Sequence, residues 1–293
     1  MDLITLAAGD ATLTLAPELG ASIVAWERGR FPMFRPPLPD ALERRFVRGL
    51  AAFPLVPYSN RIVHGRFRFA GSVYALPATF GGHAIHGVGW ETPWRLVARK
   101  DESVLLAMTH VPNEFWPFAF DAELLTTLTP DRLSVRIEAV NRHDAPAPFG
   151  IGLHPYFPRS AAATLQFNAD GVWRNSREME PVAHIDVPPE WDHTLRQPLG
   201  SAALDNCFTG WDGTARLSYP HEGYVMTIAA EPVFGNLVVY DAPDNPFIAA
   251  EPVSNANDAI NKPDLPAGQA MRVLAPGETL AGTMSFTVED VAA

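Results

Sequence analysis

Short runs in which apolar and polar residues alternate recur along the whole chain. Ala11-Thr12-Leu13-Thr14-Leu15, Leu133-Ser134-Val135-Arg136-Ile137-Glu138-Ala139-Val140 and Met284-Ser285-Phe286-Thr287-Val288 each place their apolar side chains on one face, the period-two signature of a half-buried strand. The 28 prolines and 21 glycines are spread along the length and cut it into segments too short for long helices. Thr127-Leu128-Thr129-Pro130-Asp131-Arg132-Leu133 reads as a hairpin, with Pro130 fixing φ and Asp131 tolerating the turn. The segment from Pro39 to Phe46, with Asp40 as its cap, is the best candidate for a short helix. Strands do not alternate with helices, no glycine-rich phosphate loop follows a strand, and no repeat or linker divides the chain. The pattern therefore predicts an all-β protein: one large antiparallel β-sandwich domain over residues 1–293, with few short helices.

Composition narrows the function classes. With 293 residues, 47% of them hydrophobic, the chain can bury a large core. Its 22 Lys and Arg against 33 Asp and Glu give −11, and no basic block could follow a phosphate backbone, so nucleic acid is not an expected partner. Cys207 is the only cysteine, which excludes an intrachain disulfide and cysteine-based zinc sites and fits a reducing compartment. The first ten residues lack a basic, then apolar, leader pattern, and no apolar run approaches the ~18 residues of a membrane span. A soluble, cytoplasmic protein, off the membrane and monomeric or homodimeric, is expected.

Five segments could carry chemistry. Glu251 ends the apolar run Pro246-Phe247-Ile248-Ala249-Ala250, and an acid at the end of a buried strand needs a salt bridge, a neutral form or chemical work. Arg61 follows Asn60 ahead of an alternating hairpin and offers a planar fork of donors to hydroxyls, to a ligand carboxylate or to Glu251 itself. Gly81-Gly82-His83-Ala84-Ile85-His86-Gly87-Val88-Gly89-Trp90 has four glycines that allow close backbone approach to a ligand. In that stretch His83 reads as a loop histidine, and Trp90, like the nearby Trp94, suits either sugar stacking or core packing. His154 closes a glycine-containing apolar strand and is either a proton carrier or a hydrogen-bonded core residue. Asp205 stands before Asn206-Cys207-Phe208 and either holds hydroxyls or serves the nearby turn, while Cys207 has no neighbouring base and reads as inert. His83 and His86 lack a third ligand in their segment, so no metal is expected.

Taken in order over residues 56–268, these segments resemble the aldose 1-epimerase (galactose mutarotase) family. The resemblance rests on Asn60-Arg61-Ile62 with Gly65, Phe67, Gly71, Tyr74 and Leu76, on Ile85-His86-Gly87, on His154-Pro155-Tyr156-Phe157, on Leu204-Asp205-Asn206-Cys207-Phe208, and on Glu251-Pro252 with Asp258-Ala259-Ile260-Asn261 and Pro263. It implies a galactose mutarotase-like supersandwich with a sugar cleft. It also implies Glu251 as general base, His154 as general acid, and Arg61, His86 and Asp205, joined by Asn60 and Trp90, as the sugar-binding set, with no cofactor. Glu251 would take the C1 hydroxyl proton while His154 protonates the ring oxygen, and reference pKa values already order the pair as carboxylate and imidazolium.

Pro158 and Val88 depart from the commoner family pattern, and Gly87-Val88-Gly89-Trp90 is closer to a bacterial epimerase-like branch. Two alternatives accompany the mutarotase of a free aldose. One is a mutarotase for a sugar with an anionic C6 group, such as a hexose 6-phosphate or sulfosugar. It would need a further cation from Arg28, Arg30, Arg44, Arg45, Arg48, Arg66 or Arg68, and the charge of −11 disfavours it. The other is a carbohydrate-binding module without turnover.

Overall fold

A computed structural model describes residues 1–291. The alternating segments are strands, and they assemble into two large antiparallel sheets. The first has eleven strands. Ten lie in the order Ile4–Ala8, Ala11–Ala16, Ser22–Arg28, Ala52–Leu55, Gly152–Pro158, Phe247–Val253, Asn236–Asp241, Leu204–Thr209, Gly171–Asn175 and Pro181–Asp186, and Phe31–Pro32 pairs with Ser22–Arg28. The second has nine, in the order Arg95–Arg99, Ser103–His110, Phe120–Thr129, Arg132–Asn141, Thr279–Asp290, Tyr224–Ala230, Thr214–Tyr219, Thr164–Phe167 and Gln197–Pro198. The expected hairpin is present, with Thr129 paired to Arg132 across Pro130-Asp131.

The main core lies between the sheets and is tied by an edge-to-face aromatic chain: Trp26–Phe34, Phe34–Phe157 and Phe34–Phe286 at centroid distances of 5.0, 5.3 and 5.1 Å. The first sheet is buried on its other face too. Along Phe247–Val253, Ile248 and Ala250 belong to the inter-sheet core, while Ala249 and Val253 belong to a second apolar cluster with Phe53, Leu55, Tyr156, Cys207 and Val238. Burial on both faces explains why the strand reads as a continuous apolar run up to Glu251.

Helix is nearly absent. Among the described residues the helical elements are four three-residue 3-10 turns, Val47–Gly49, Val63–Gly65, Pro189–Trp191 and Ala259–Asn261. The expected helix from Pro39 to Phe46 is instead a series of turns. Asp40 and Arg45 both take positive φ (59° and 51°), so Asp40 cannot cap in the usual extended geometry, and eight residues cannot sustain a helix without packing. No helix among the described residues is long and apolar enough to cross a membrane.

Candidate functional site

The side chains in question come from adjacent strands on the outer face of the first sheet. In Gly152–Pro158, Leu153 and Phe157 enter the inter-sheet core, which turns His154 and Tyr156 outward. Pairing of Gly152 with Val253 and of Tyr156 with Ala249 sets His154 opposite Glu251. On the far side of His154 its partner is Phe53, whose ring lies 4.6 Å from the imidazole. One strand further, Val238 faces Glu251 and Tyr240 faces Ala249; the next strand pairs Asp205 with Tyr240. The side-chain period of two thus brings His154, Tyr156, Glu251, Tyr240 and Asp205 to one surface.

Loops supply the rest. Asn60 and His86 both take positive φ (56° and 61°) and bond reciprocally: the Asn60 N–H donates to His86 Nδ1 at 3.2 Å, and the His86 N–H donates to the Asn60 carbonyl at 2.9 Å. Because Nδ1 accepts, the proton of neutral His86 is assigned to Nε2, which is left to donate. Asn60 Oδ1 accepts from the Arg61 backbone N–H at 2.9 Å and from the Arg61 guanidinium at 3.3 Å. Asp258 anchors this loop from the segment after Glu251, donating its N–H to the Arg61 carbonyl and accepting from the Val63 N–H at 3.0 Å.

The result is a cleft of about 430 Å³ lined by Asn60, Arg61, His86, His154, Asp205 and Glu251, with Phe46, Arg48, Phe80, Ile85, Tyr156, Tyr240 and Phe247 as further walls. That volume is in the range of small-molecule sites. Six of the seven expected site residues meet there. Trp90 does not. It packs behind the cleft on Phe53 (5.5 Å) and His86 (6.1 Å), with its indole N–H donating to the Gly87 carbonyl, so the open aromatic faces come from other residues. Trp94 is buried and donates to Gly89, and His83 is a buried histidine bonded to His64 and Glu178.

The glycines beside His86 likewise serve the chain rather than a ligand. Gly87, at φ +71°, lies so close to the Val56 carbonyl and Pro57 that a Cβ would overlap them. Tyr156 is not among the site residues named from the sequence; its signal there is its place two positions after His154, on the same face of the strand. Arg48 stood among the arginines named from sequence, and it alone of those seven lines the cleft. Phe46, Phe80 and Tyr240 carry no sequence signal, since their place depends on folding.

Electrostatics centres on one contact. His154 Nε2 stands 3.2 Å from Glu251 Oε1, and the Glu251 residue is 2% exposed. Burial pushes the Glu251 carboxyl well above its ordinary range, with Asp205 adding to the rise and Arg61 opposing it. Burial pushes His154 down to about 3, with Arg35 and then Arg48 also opposing its protonation. This reverses the order expected from reference values, because desolvation favours the neutral form of each group. Both shifts favour a single proton held between two neutral groups, and moving it from Glu251 to His154 needs only a transfer across the contact. His86 is also driven far down, first by burial and then by His154 and Arg61, which keeps it a neutral donor. Arg61 takes Asp205 rather than Glu251 as its acid, at 3.9 Å, a separation that a hydroxyl can bridge. Among the described residues no three His, Cys, Asp or Glu side chains gather as a metal ligand set.

Residues 2–287 match the family model described as aldose 1-epimerase. The Escherichia coli (strain K12) protein YphB is 30% identical over 304 residues, spanning 99% of each chain. A crystal structure of a provisionally assigned aldose 1-epimerase from Escherichia coli K12 superposes with a TM-score of 0.89 at 29% identity, covering 99% of both chains. The fold is shared at lower identity with galactose 1-epimerase from Lactobacillus acidophilus NCFM, at a TM-score of 0.81 and 18% identity over 99% of this chain and 95% of that one.

Proposed function

From a chain that belongs to the aldose 1-epimerase family, we propose a mutarotase that interconverts the α and β anomers of a free aldose, with Glu251 and His154 as its base and acid. The observation that carries this reading is the 3.2 Å contact between two buried, oppositely tuned titratable groups on the floor of a sugar-sized cleft. Proton transfer within the pair creates a carboxylate and an imidazolium in a site that solvates neither well. Glu251 then takes the proton of the C1 hydroxyl while His154 gives its proton to the ring oxygen. The bond from C1 to the ring oxygen breaks, leaving a free aldehyde, and both side chains are neutral again. Rotation about the C1–C2 bond presents the other carbonyl face. The reverse transfers reclose the ring as the opposite anomer. Arg61, Asn60, Asp205 and the Nε2–H of His86 supply donors and acceptors for the remaining hydroxyls, and holding them fixes the reacting oxygens against the pair.

Glu251→Gln tests this directly. Anomer exchange of glucose and galactose, followed by NMR, falls at least about 100-fold toward the spontaneous rate while the variant stays folded. Wild-type exchange in that variant would remove Glu251 from the reaction. Sugar binding without exchange in the native protein would favour a binding module instead.

One observation favours the second reading, a sugar with an anionic C6 group. Arg48 lines the cleft, its guanidinium 4.6 Å from the Phe80 ring centre, with no carboxylate within 4 Å among the described residues. An arginine without an acid partner is a ready anchor for phosphate or sulfonate. In that case Arg48→Met lowers kcat/KM for glucose 6-phosphate by ~10-fold or more relative to its effect on kcat/KM for glucose. Equal effects on both sugars would leave the neutral aldose as the substrate.

A further inference from the structure

Arg35 lies behind the cleft, outside its lining, and is 5% exposed. Its backbone N–H donates to the Tyr156 carbonyl at 2.8 Å. Its guanidinium carbon sits 4.0 Å from the Tyr156 ring centre and 4.6 Å from that of Phe247, and Nη2 donates to the carbonyls of Arg48 (2.9 Å) and Leu50 (2.6 Å). No carboxylate reaches it within 4 Å among the described residues. A buried arginine keeps its charge, and burying it without an acid costs stability that an apolar side chain in the same slot would not. Its contacts converge on two features of the site: the Tyr156 ring, whose centre lies 4.5 Å from that of His154, and the turn Val47–Gly49, which presents Arg48.

We propose that Arg35 is a positioning residue of the cleft: its guanidinium, stacked on Tyr156 and Phe247 and bonded to the carbonyls of Arg48 and Leu50, fixes the wall against which His154 is oriented and seats the turn that carries Arg48. This rests on the reading of His154 as the acid. The same fixed charge also acts on the imidazole. The groups that face His154 are Tyr156 from its own strand, Phe53 and Glu251 from the strands on either side, His86 from its loop, Arg48 from the turn, and Arg35 from behind. Arg35 and Arg48 are the two cations among them that oppose imidazole protonation. An imidazolium held next to a permanent cation is a stronger acid, which suits transfer to a weakly basic ring oxygen.

Arg35→Met and Arg35→Lys separate position from charge. The Met variant is expected to lose kcat by about 10-fold or more with KM for glucose changed less than about threefold, and its acid limb moves to higher pH. The Lys variant keeps the limb near the native pH but loses kcat, since an ammonium cannot stack as a plane and bridge both carbonyls. A folded Met variant with native kcat and native acid limb overturns the proposal. If the Met variant does not fold, native kcat in the Lys variant overturns it. Imidazole NMR titration of His154 without sugar separates this test from the mutarotase reading. Should the native protein fail to exchange anomers, an upward displacement of the His154 titration in the Met variant still supports the charge role, and an unmoved titration rejects it.

Discussion

Glu251 and His154 matter because their environment reverses what their chemistry alone would give. A solvent-exposed pair would rest as carboxylate and imidazolium; here burial makes both groups prefer neutrality while they stay 3.2 Å apart. The proposed reaction uses the form that holds one shared proton. A second proton enters only as His154 titrates at about 3, and the shared proton leaves only above the ordinary glutamate value of 4.5, at the raised value for Glu251. The pH profile of kcat/KM is therefore expected to lack an acid limb near 6.5, the ordinary histidine value. An inflection there would mean that His154 is solvated and acts with its reference pKa. Stability follows with the opposite emphasis. Because the folded pKa of Glu251 is raised, its contribution is fully present below about 4.5 and is lost as pH rises toward the folded value. Glu251→Gln removes that loss, so the melting temperature of the variant relative to the native protein rises with pH above 4.5. A difference that is flat with pH would contradict the raised value.

At the scale of the element, a strand reads well when its two faces differ and poorly when both are buried. Ala11–Ala16 and Arg132–Asn141 alternate plainly, and the sequence located both. In Gly152–Pro158 and Phe247–Val253 alternation is hidden, yet the polar residues that interrupt them, His154 and Glu251, mark the cleft because nothing apolar occupies their place. The walls were less legible. Phe46, Phe80 and Tyr240 arrive from distant segments, and Trp90 looks equally suited to core or cleft until the loop from Gly81 to Gly89 is folded against Val56. The turn series at residues 39–46 reads as a helix in the sequence because the residue pattern cannot reveal that Asp40 and Arg45 adopt positive φ. Gly87 is the residue by which that loop sets His86. Gly87→Ala combines a positive φ with overlap at the Val56 carbonyl and is expected to cost roughly 1–3 kcal/mol in urea unfolding while raising KM for sugar. Native stability in that variant would show that the loop does not need so close an approach.

Over the whole molecule, the sandwich gives the first sheet two buried faces with different tasks. Its inner face joins the aromatic core, and its outer face carries a smaller apolar cluster on which the polar floor of the cleft is set. Rigid cross-strand register, rather than loop placement, sets the distance between Glu251 and His154. That is why two residues nearly a hundred positions apart could be paired from sequence only through a family resemblance. The net charge of −11 works at long range against an anionic sugar, and Arg48 and Arg61 oppose it locally. The most direct measurement is NMR anomer exchange on the native protein, Glu251→Gln, His154→Gln and the double variant. If the pair acts as one proton-handling unit, the native protein accelerates exchange, each single change removes most of that acceleration, and the double change removes no more than either alone. Losses that multiply in the double variant, or a native protein no faster than buffer, would contradict it.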